Sequence, residues 1–331
     1  MMPEILLAGS APWELGFMAA MASPTSNPAQ VDPDYTQIGT LLDTPGPPEW
    51  RRSPQAPADS AWGHFYWVPI GGSPEPPAGT MRFEVIGVSG AVIARISTDI
   101  WRDSLRSVVY GNSTVTGPTS RNVLLFGSPC SIDFNVEVTP TGYVSRFYKN
   151  GVLLDTTSAA KTSPEKIATI RLSPSRDSQA STSRDIAISE VLITAGIPTV
   201  GVRLAQLIPN GAGHYADMPG GYADIIGDSD VGIVGTANGQ RFSWEPTAYA
   251  GPGSPSAISA VIVNTTAARW IGTPDTFNSF LRIGGTDYDG PDIAAGVRDR
   301  YQNVWWTNPD TGLPWDSADL ANIEVGFRVT D

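Results

Sequence analysis

Glycine and proline are so frequent in this chain that they exclude a fold of long helices. The 331 residues include 34 glycines and 29 prolines, and 14 of the prolines lie within residues 1–80. Proline fixes φ and removes a backbone donor, so neither a helix interior nor a central strand tolerates such a density. The composition therefore predicts many short strands and tight turns, preceded by an extended, proline-rich arm over residues 1–60.

The charge balance argues against nucleic-acid and membrane partners. The net charge is −12, and the only local run of basic residues is Arg51-Arg52. Binding to phosphates or to anionic lipid needs a basic surface. The N-terminus has no basic segment, and Glu4, Pro12 and Glu14 interrupt its apolar stretches, so it resembles neither a signal peptide nor a membrane span. We expect synthesis in a cytoplasm, no nucleic acid and no membrane insertion.

Cys130 is the only cysteine, so no disulfide can form within the chain and no cysteine-based metal site is possible. Its place near the start of a predicted strand favours a small apolar core residue over a reactive thiol.

The central part of the chain has the alternation of β-strands. Ile132, Phe134, Val136 and Val138 alternate with polar residues, which is the period of a half-buried strand. On this pattern Asp133 and Glu137 share a solvated face. The dipeptide Asn150-Gly151 supplies the two positive-φ residues of a type I′ turn, so the residues flanking it, 143–148 and 152–156, form a hairpin. Further strands are expected at 82–88, 91–97, 166–172 and 185–194.

Strand patterns resume after a join at residues 202–210. The expected strands are 241–245, 257–264, 277–283 and 323–329, with turn-forming residues between them. One short helix is expected at 317–322, where Asp316 and Asp319 form a pattern like a capping box. The sequence thus predicts an all-β protein with two antiparallel β-sandwich or jelly-roll domains, residues 61–203 and 204–331, and a short C-terminal helix.

The residues of common hydrolytic sites are not arranged for catalysis. The two histidines, His64 and His214, are far apart in sequence, and neither has the neighbours of a Ser-His-Asp triad; His214 is expected in a loop. Glycosidases need two carboxylates across a groove, and the strand carboxylates Asp133, Glu137 and Glu190 lack the E-x-D-x-x-E spacing. We predict that the protein is not an enzyme.

Two acidic clusters are weak candidates for calcium and the aromatic residues are candidates for contacts. The clusters are Asp224, Asp228 and Asp230, and Asp287, Asp289 and Asp292. Calcium needs six to eight oxygen ligands, and aspartate is also a common turn residue, so the turn interpretation is preferred and no cofactor is expected. The assembly or ligand contacts predicted are Trp305, Trp306, Trp13 and Phe17; alternation would bury only one of Trp305 and Trp306.

Two segments resemble known families. Residues 133–158, with the Asn-Gly hairpin, and the strand at 185–194 resemble a concanavalin A-like (laminin-G-like) jelly roll. The last 130 residues are similar to uncharacterised virion proteins of tailed bacteriophages, which end in a W-x-T-N-P-D-T-G-x-x-W turn, a short helix and a closing strand. Here that tail is Trp306–Gly312 and Trp315, followed by Leu320, Ile323, Glu324 and Gly326.

These resemblances imply a structural component of a tailed-phage particle, such as a capsid decoration, minor structural or tail-associated protein. Its partners would be other virion proteins and copies of itself, and its location the virion. The alternative is a receptor- or carbohydrate-binding protein of the phage tail or fibre, for which the partner would be a host surface glycan.

Overall fold

The computed structural model describes residues 4–9, 40–41, 50–68, 80–99, 104–118, 130–175, 187–225, 232–249, 257–269, 274–296 and 299–331. The described residues form two compact units, which divide between Leu204 and Ala205. Both units are built from antiparallel strands, which confirms the all-β prediction. No helix in this part of the chain is long and apolar enough to cross a membrane.

The first unit is a sandwich of two antiparallel sheets. A seven-stranded sheet has the order β1-β13-β4-β9-β10-β11, with β2 paired to β13, and a six-stranded sheet has the order β3-β12-β5-β6-β7-β8. The strands are β1 (Glu4–Gly9), β2 (Thr40–Leu41), β3 (Trp50–Arg52), β4 (Ser60–Val68), β5 (Thr80–Gly87), β6 (Val92–Asp99), β7 (Ser104–Tyr110), β8 (Thr114–Thr116), β9 (Cys130–Thr139), β10 (Gly142–Lys149), β11 (Val152–Ala160), β12 (Ile167–Ser175) and β13 (Ala187–Ala195).

The two sheets enclose an apolar core. Phe83 of β5 stacks on Phe134 of β9 with ring centroids 5.5 Å apart, and Phe65 packs beside Phe134 at the same distance. All three side chains are buried, because period-two alternation directs Phe65 and Phe134 to the inner face of their sheet. Cys130 is also buried, at the first position of β9, as predicted.

The predicted hairpin is present with its turn at Asn150-Gly151. Both residues have positive φ, 47° and 78°, and β10 pairs with β11 on either side of the turn. The asparagine also fixes the turn to the neighbouring strand, because its Oδ1 accepts a hydrogen bond of 2.9 Å from the Ser131 amide. The dipeptide therefore sets the register next to the turn, where Lys149 pairs with Val152 and Tyr148 with Leu153, before an irregularity shifts it at Phe147.

Part of the predicted N-terminal arm belongs to the sandwich instead. Residues 4–9 form β1, an edge strand paired with β13, in which Leu7 and Ala8 are buried. The apolar run Ile5–Ala8 therefore completes the sheet and covers core, a role that the surrounding prolines obscured in the sequence. Most of residues 10–49 lies outside the described residues.

The second unit is an antiparallel sheet with a two-stranded ribbon, where a second full jelly roll was expected. The sheet has the order β14-β15-β21-β17-β18, with β19 paired to β17, and β16 pairs with β20. The strands are β14 (Pro209–Ala216), β15 (Arg241–Pro246), β16 (Val261–Ala267), β17 (Thr276–Ile283), β18 (Thr286–Asp289), β19 (Ile293–Ala294), β20 (Asp299–Trp305) and β21 (Ile323–Val329). The buried core includes Phe242, Trp244, Leu281 and Val325 from the sheet and Val263 from the ribbon.

The predicted C-terminal helix is only a single 3₁₀ turn, Asp319–Asn322; a second such turn spans Tyr222–Ile225. The expected capping hydrogen bonds form nevertheless: Asp316 accepts from the amides of Ala318 and Asp319, and Asp319 accepts from the Asp316 amide. Trp315, just before Asp316, and Leu320, just after Asp319, are buried in the core. With closing strand β21 beginning at Ile323, no length remains for an α-helix.

Candidate functional site

The outer face of the seven-stranded sheet carries the polar and aromatic residues of the first unit. On β4, Gly63 faces inward against the ring of Phe83, so Trp62, His64 and Tyr66 point the other way. Across the sheet, His64 pairs with Asp133 and Trp62 pairs with Asn135. These outer positions form two groups, one buried and one half-exposed.

The buried group is a hydrogen-bonded charge cluster. His64 Nδ1 lies 2.8 Å from Asp133 Oδ1, and the Thr199 hydroxyl donates to the same oxygen at 2.9 Å. Only 2% of His64 is exposed, and Asp133 and Thr199 are fully buried. The expectation of a solvated face at Asp133 is therefore wrong, because the segment after β13 covers it. We call this segment, residues 197–204, the crossing segment.

A second carboxylate closes the cluster. Glu190 Oε2 lies 3.9 Å from His64 Nε2 and accepts a 2.9 Å hydrogen bond from Arg203 Nε, while Oε1 accepts one of 2.6 Å from Arg203 Nη2. The Arg203 guanidinium also stacks 4.6 Å above the Tyr66 ring. Glu190 has a φ of 53° within the register shift between β13 and β4. This left-handed conformation is rare for a non-glycine residue and accompanies the bidentate pair with Arg203.

The cluster holds His64 in its charged form. Burial by itself lowers the pKa of His64, but the carboxylates of Asp133 and Glu190 outweigh burial and raise the pKa to about 9. For Glu190, burial by itself raises the pKa, but its hydrogen bonds and charge interactions with His64 and Arg203 outweigh burial. The pKa of this carboxyl group therefore lies below its ordinary value. The imidazolium and the guanidinium therefore balance two carboxylates inside the protein.

The buried cluster fixes the crossing segment to the sheet. Thr199 reaches β9, Arg203 reaches β13, and the Leu204 amide donates to Glu190 at 3.0 Å. His64 does have the carboxylate partner that the sequence did not reveal, but its other nitrogen has no hydrogen-bond partner among the described residues. The imidazole thus faces two carboxylates that also bind Thr199 and Arg203, so it takes part in holding the crossing segment to the sheet.

The half-exposed group lies beside this cluster, and all its members except the buried Asn135 are partly open to solvent. The rings of Trp62 and Tyr148 stack with centroids 5.9 Å apart and an interplanar angle of 27°. Arg146 Nη1 donates to Asn135 Oδ1 at 2.9 Å and to Glu137 Oε2 at 2.8 Å. These five residues, Trp62, Asn135, Glu137, Arg146 and Tyr148, are called the aromatic–arginine patch. It combines flat apolar surface with fixed donors and acceptors.

The outer face of the second unit carries another charged cluster. Asp287 accepts hydrogen bonds from Arg241 and Arg282, each at 2.7 Å, and from the Tyr215 hydroxyl at 2.9 Å. Both guanidinium groups also lie over the Tyr215 ring, at 5.0 and 5.2 Å. His214 is exposed on β14, so the expectation that it lies in a loop is wrong.

The calcium candidates are used for other contacts. Asp287 is paired with arginines, and Asp289 forms an ion pair with Arg328. Asp292 accepts a hydrogen bond from Asn278, and Asp224 accepts one from the Gly221 amide, the turn geometry that was preferred. Asp228 and Asp230 lie outside the described residues. Within the described ranges no group of three metal-ligating side chains occurs.

Of the four residues predicted to make assembly or ligand contacts, the structure describes two. Trp305, the last residue of β20, packs against the core of the second unit, whereas Trp306 follows the strand and is 40% exposed. Trp13 and Phe17 lie outside the described residues. Sequence reasoning missed the aromatic–arginine patch because its members come from three strands separated by up to 86 positions (148 − 62); only the alternation of Trp62 with Gly63 indicated an outward side chain.

Comparison with known proteins adds information about architecture only. No family model and no curated protein matches the chain. Among solved structures it is similar to a galectin from the ball sponge Cinachyrella sp., with 15% identity and a TM-score of 0.30 over 43% of this chain and 99% of the galectin. It is similar to a Bacillus licheniformis β-glucanase, with 10% identity and a TM-score of 0.35 over 59% of this chain and 92% of the enzyme.

A third similar structure is the receptor-binding domain of botulinum neurotoxin type G, with 11% identity and a TM-score of 0.37. The match covers 58% of this chain and about half of the toxin domain, 48%. All three TM-scores lie below 0.5.

Proposed function

We propose that the chain is a non-catalytic carbohydrate-binding protein and that the aromatic–arginine patch is its binding surface. The observation that carries the proposal is the stacked pair Trp62–Tyr148 beside Arg146, whose guanidinium is fixed by Asn135 and Glu137. A sugar ring has an apolar C–H face that packs on an aromatic surface, and hydroxyls that need donors and acceptors at its edge. The patch supplies both.

Preorganisation supports this interpretation. Asn135 is itself buried, and its Nδ2 donates to the Ala61 carbonyl, so its Oδ1 has a fixed direction toward Arg146. A binding site whose side chains are already held loses less entropy when the ligand binds. The flat outer face fits an extended ligand such as a glycan better than a compact substrate enclosed by a deep cleft.

The experiment is a glycan array probed with purified protein, using Trp62→Ala and the matched control Trp306→Ala. Trp306 is an exposed tryptophan of the second unit, so the control removes the same side chain elsewhere. We expect the wild type and the Trp306 variant to bind the same glycans and the Trp62 variant to lose them while its thermal unfolding remains cooperative. Absence of wild-type binding to any glycan would remove the proposal.

A second candidate function is structural, as a component of a tailed-phage particle. The last 130 residues, which resemble such proteins, expose three large apolar side chains among the described residues, Val234, Trp306 and Leu313, and exposed apolar residues are common at subunit contacts. This role is compatible with glycan binding by the first unit. Mass spectrometry of purified particles tests it: the protein should be present at a fixed stoichiometry, and its absence would contradict the candidate.

A further inference from the structure

The outer face of the six-stranded sheet gathers arginines from five strands into one surface. Arg171 on β12 pairs with Arg51 on β3 and with Glu84 on β5, and Glu84 pairs with Arg95 on β6. One row further along, Arg82 and Arg106 both pair with Ser97. Cross-strand partners share a face, so all these side chains lie opposite the core. The arginine face consists of Arg51, Arg82, Arg95, Arg106 and Arg171.

This surface is strongly positive in a protein that is strongly negative. Five arginines and the two acidic residues that the strand register places on this face, Glu84 and Asp99, leave three net positive charges (5 − 2 = 3), whereas the whole chain carries −12. Arg51, Arg82 and Arg106 are exposed, and Arg95 and Arg171 are partly exposed. Gathering like charges on one face is unfavourable by repulsion; Glu84 offsets part of it through its ion pairs with Arg95 and Arg171, whereas Arg82 and Arg106 converge on Ser97, an uncharged residue.

The face already shows how it would hold an anion. Glu84 is buried at its centre, accepts a 2.5 Å hydrogen bond from Arg95 Nε and pairs with Arg171 Nη2. A guanidinium group presents a planar fork of donors that matches a carboxylate or a sulfate. Neighbouring strands lie about 4.8 Å apart, and alternate residues of a strand about 6.8 Å apart. Such a lattice of donors suits a polymer with regularly repeated anionic groups.

We propose that the arginine face binds an anionic polysaccharide through its carboxylate or sulfate groups. This inference goes beyond the proposed function, since it concerns the opposite sheet and a different ligand class. Protein partners usually bury an apolar anchor, and none of the exposed large apolar residues of the described chain lies on β3, β5, β6, β7 or β12. The anion that the face already holds, Glu84, is a carboxylate, the group that an acidic polysaccharide presents and a nucleic acid lacks, so a polysaccharide is favoured over duplex nucleic acid.

The test measures binding of the full chain to heparin, a sulfated polysaccharide, and to polygalacturonate, a carboxylated one, with neutral dextran as a third probe. We expect binding to one or both anionic polymers, weakened at least tenfold between 50 and 300 mM salt, and none to dextran. The double variant Arg82→Glu/Arg106→Glu should weaken binding at least tenfold. The double variant Arg82→Gln/Arg106→Gln keeps the test valid if charge reversal impairs folding.

The matched control is Arg269→Glu, which changes one exposed arginine of the second unit, and it should weaken binding less than twofold. Equal weakening by the control, or no effect of either double variant, would overturn the proposal.

Other ligands of the arginine face would give different results. Equal or tighter binding to a DNA duplex would replace the proposal with a nucleic-acid surface. A salt-sensitive oligomer that the double variants dissociate would replace it with an interface between copies. Retained polysaccharide binding in Trp62→Ala would separate this face from the aromatic–arginine patch.

Discussion

His64 and Asp133 are directly opposite each other on neighbouring strands, with Nδ1 and Oδ1 2.8 Å apart and both side chains buried. The pair is separated by 69 residues in the chain, and Thr199, a further 66 residues on, completes the hydrogen bonds of the same carboxylate oxygen. It therefore connects β4, β9 and the crossing segment through one atom. The pKa of His64, raised to about 9 by its two carboxylates, makes this connection sensitive to alkaline pH.

The first prediction is that the first unit loses stability as pH rises from 6.5 to above 9. A group whose folded pKa is raised stabilises the fold fully below its unfolded pKa, and this contribution disappears as pH rises through the folded value. With an unfolded value of 6.5 and a folded value of about 9, the loss is at most about 3 kcal/mol. Urea unfolding of the wild type and of His64→Gln at pH 6 and pH 10 measures it.

His64→Gln provides the control for the pH experiment, because this variant has no imidazole at position 64 to titrate. Its free energy of unfolding should change less over the same pH interval than that of the wild type. Equal pH dependence of the two proteins would show that His64 is not charged in the folded state at neutral pH.

The second prediction concerns Asp133→Asn. Removing one carboxylate leaves the buried His64 with only Glu190 nearby, and breaking a buried charge pair costs about 3–5 kcal/mol. The pKa of His64, followed by NMR, should fall at the same time. Asp59→Asn is the matched control, since Asp59 pairs with Lys166 at the surface and should change stability by less than about 1 kcal/mol. A similar small cost in both variants would contradict the proposed burial of charge.

The third prediction concerns the contribution of Arg146 to glycan binding. Arg146→Ala removes the donor that bridges Asn135 and Glu137, and loss of a charge-assisted hydrogen bond should weaken glycan binding about tenfold. Because the buried Asn135 Oδ1 also loses its donor, the free energy of unfolding should fall by about 1–3 kcal/mol. Titration calorimetry and thermal unfolding measure the two effects. Unchanged affinity would exclude Arg146 from the binding surface.

The fourth prediction concerns packing on the second sheet. Phe280 of β17 is fully buried and lies directly over Gly326 of β21, where an added Cβ would overlap its ring. Gly326→Ala should destabilise the second unit by about 1–3 kcal/mol through overpacking. A Cβ added at Gly232 would meet open space, so Gly232→Ala should change the free energy of unfolding only slightly. Chemical denaturation of both variants would reveal the difference, and equal costs would contradict the contact.

Much of the fold could be predicted from sequence because the evidence is local. The alternation at Ile132–Val138 and the turn at Asn150-Gly151 act over a few residues, and the strand and the turn both form where expected. By contrast, the arginine face joins alternate positions of five strands, so no run of basic residues marks it. The burial of Asp133 could not be predicted, since it depends on a segment more than 60 residues away.

Ligand-induced NMR shifts of the tryptophan side chains test the central claim most directly. The indole N–H of Trp62 is assigned by comparison with Trp62→Ala, and the protein is titrated with the tightest glycan of the array. The account predicts that the Trp62 resonance shifts in a saturable way with the affinity measured by calorimetry, while the Trp306 resonance stays unchanged. Saturable binding that leaves Trp62 unperturbed and shifts tryptophans of the second unit would contradict it.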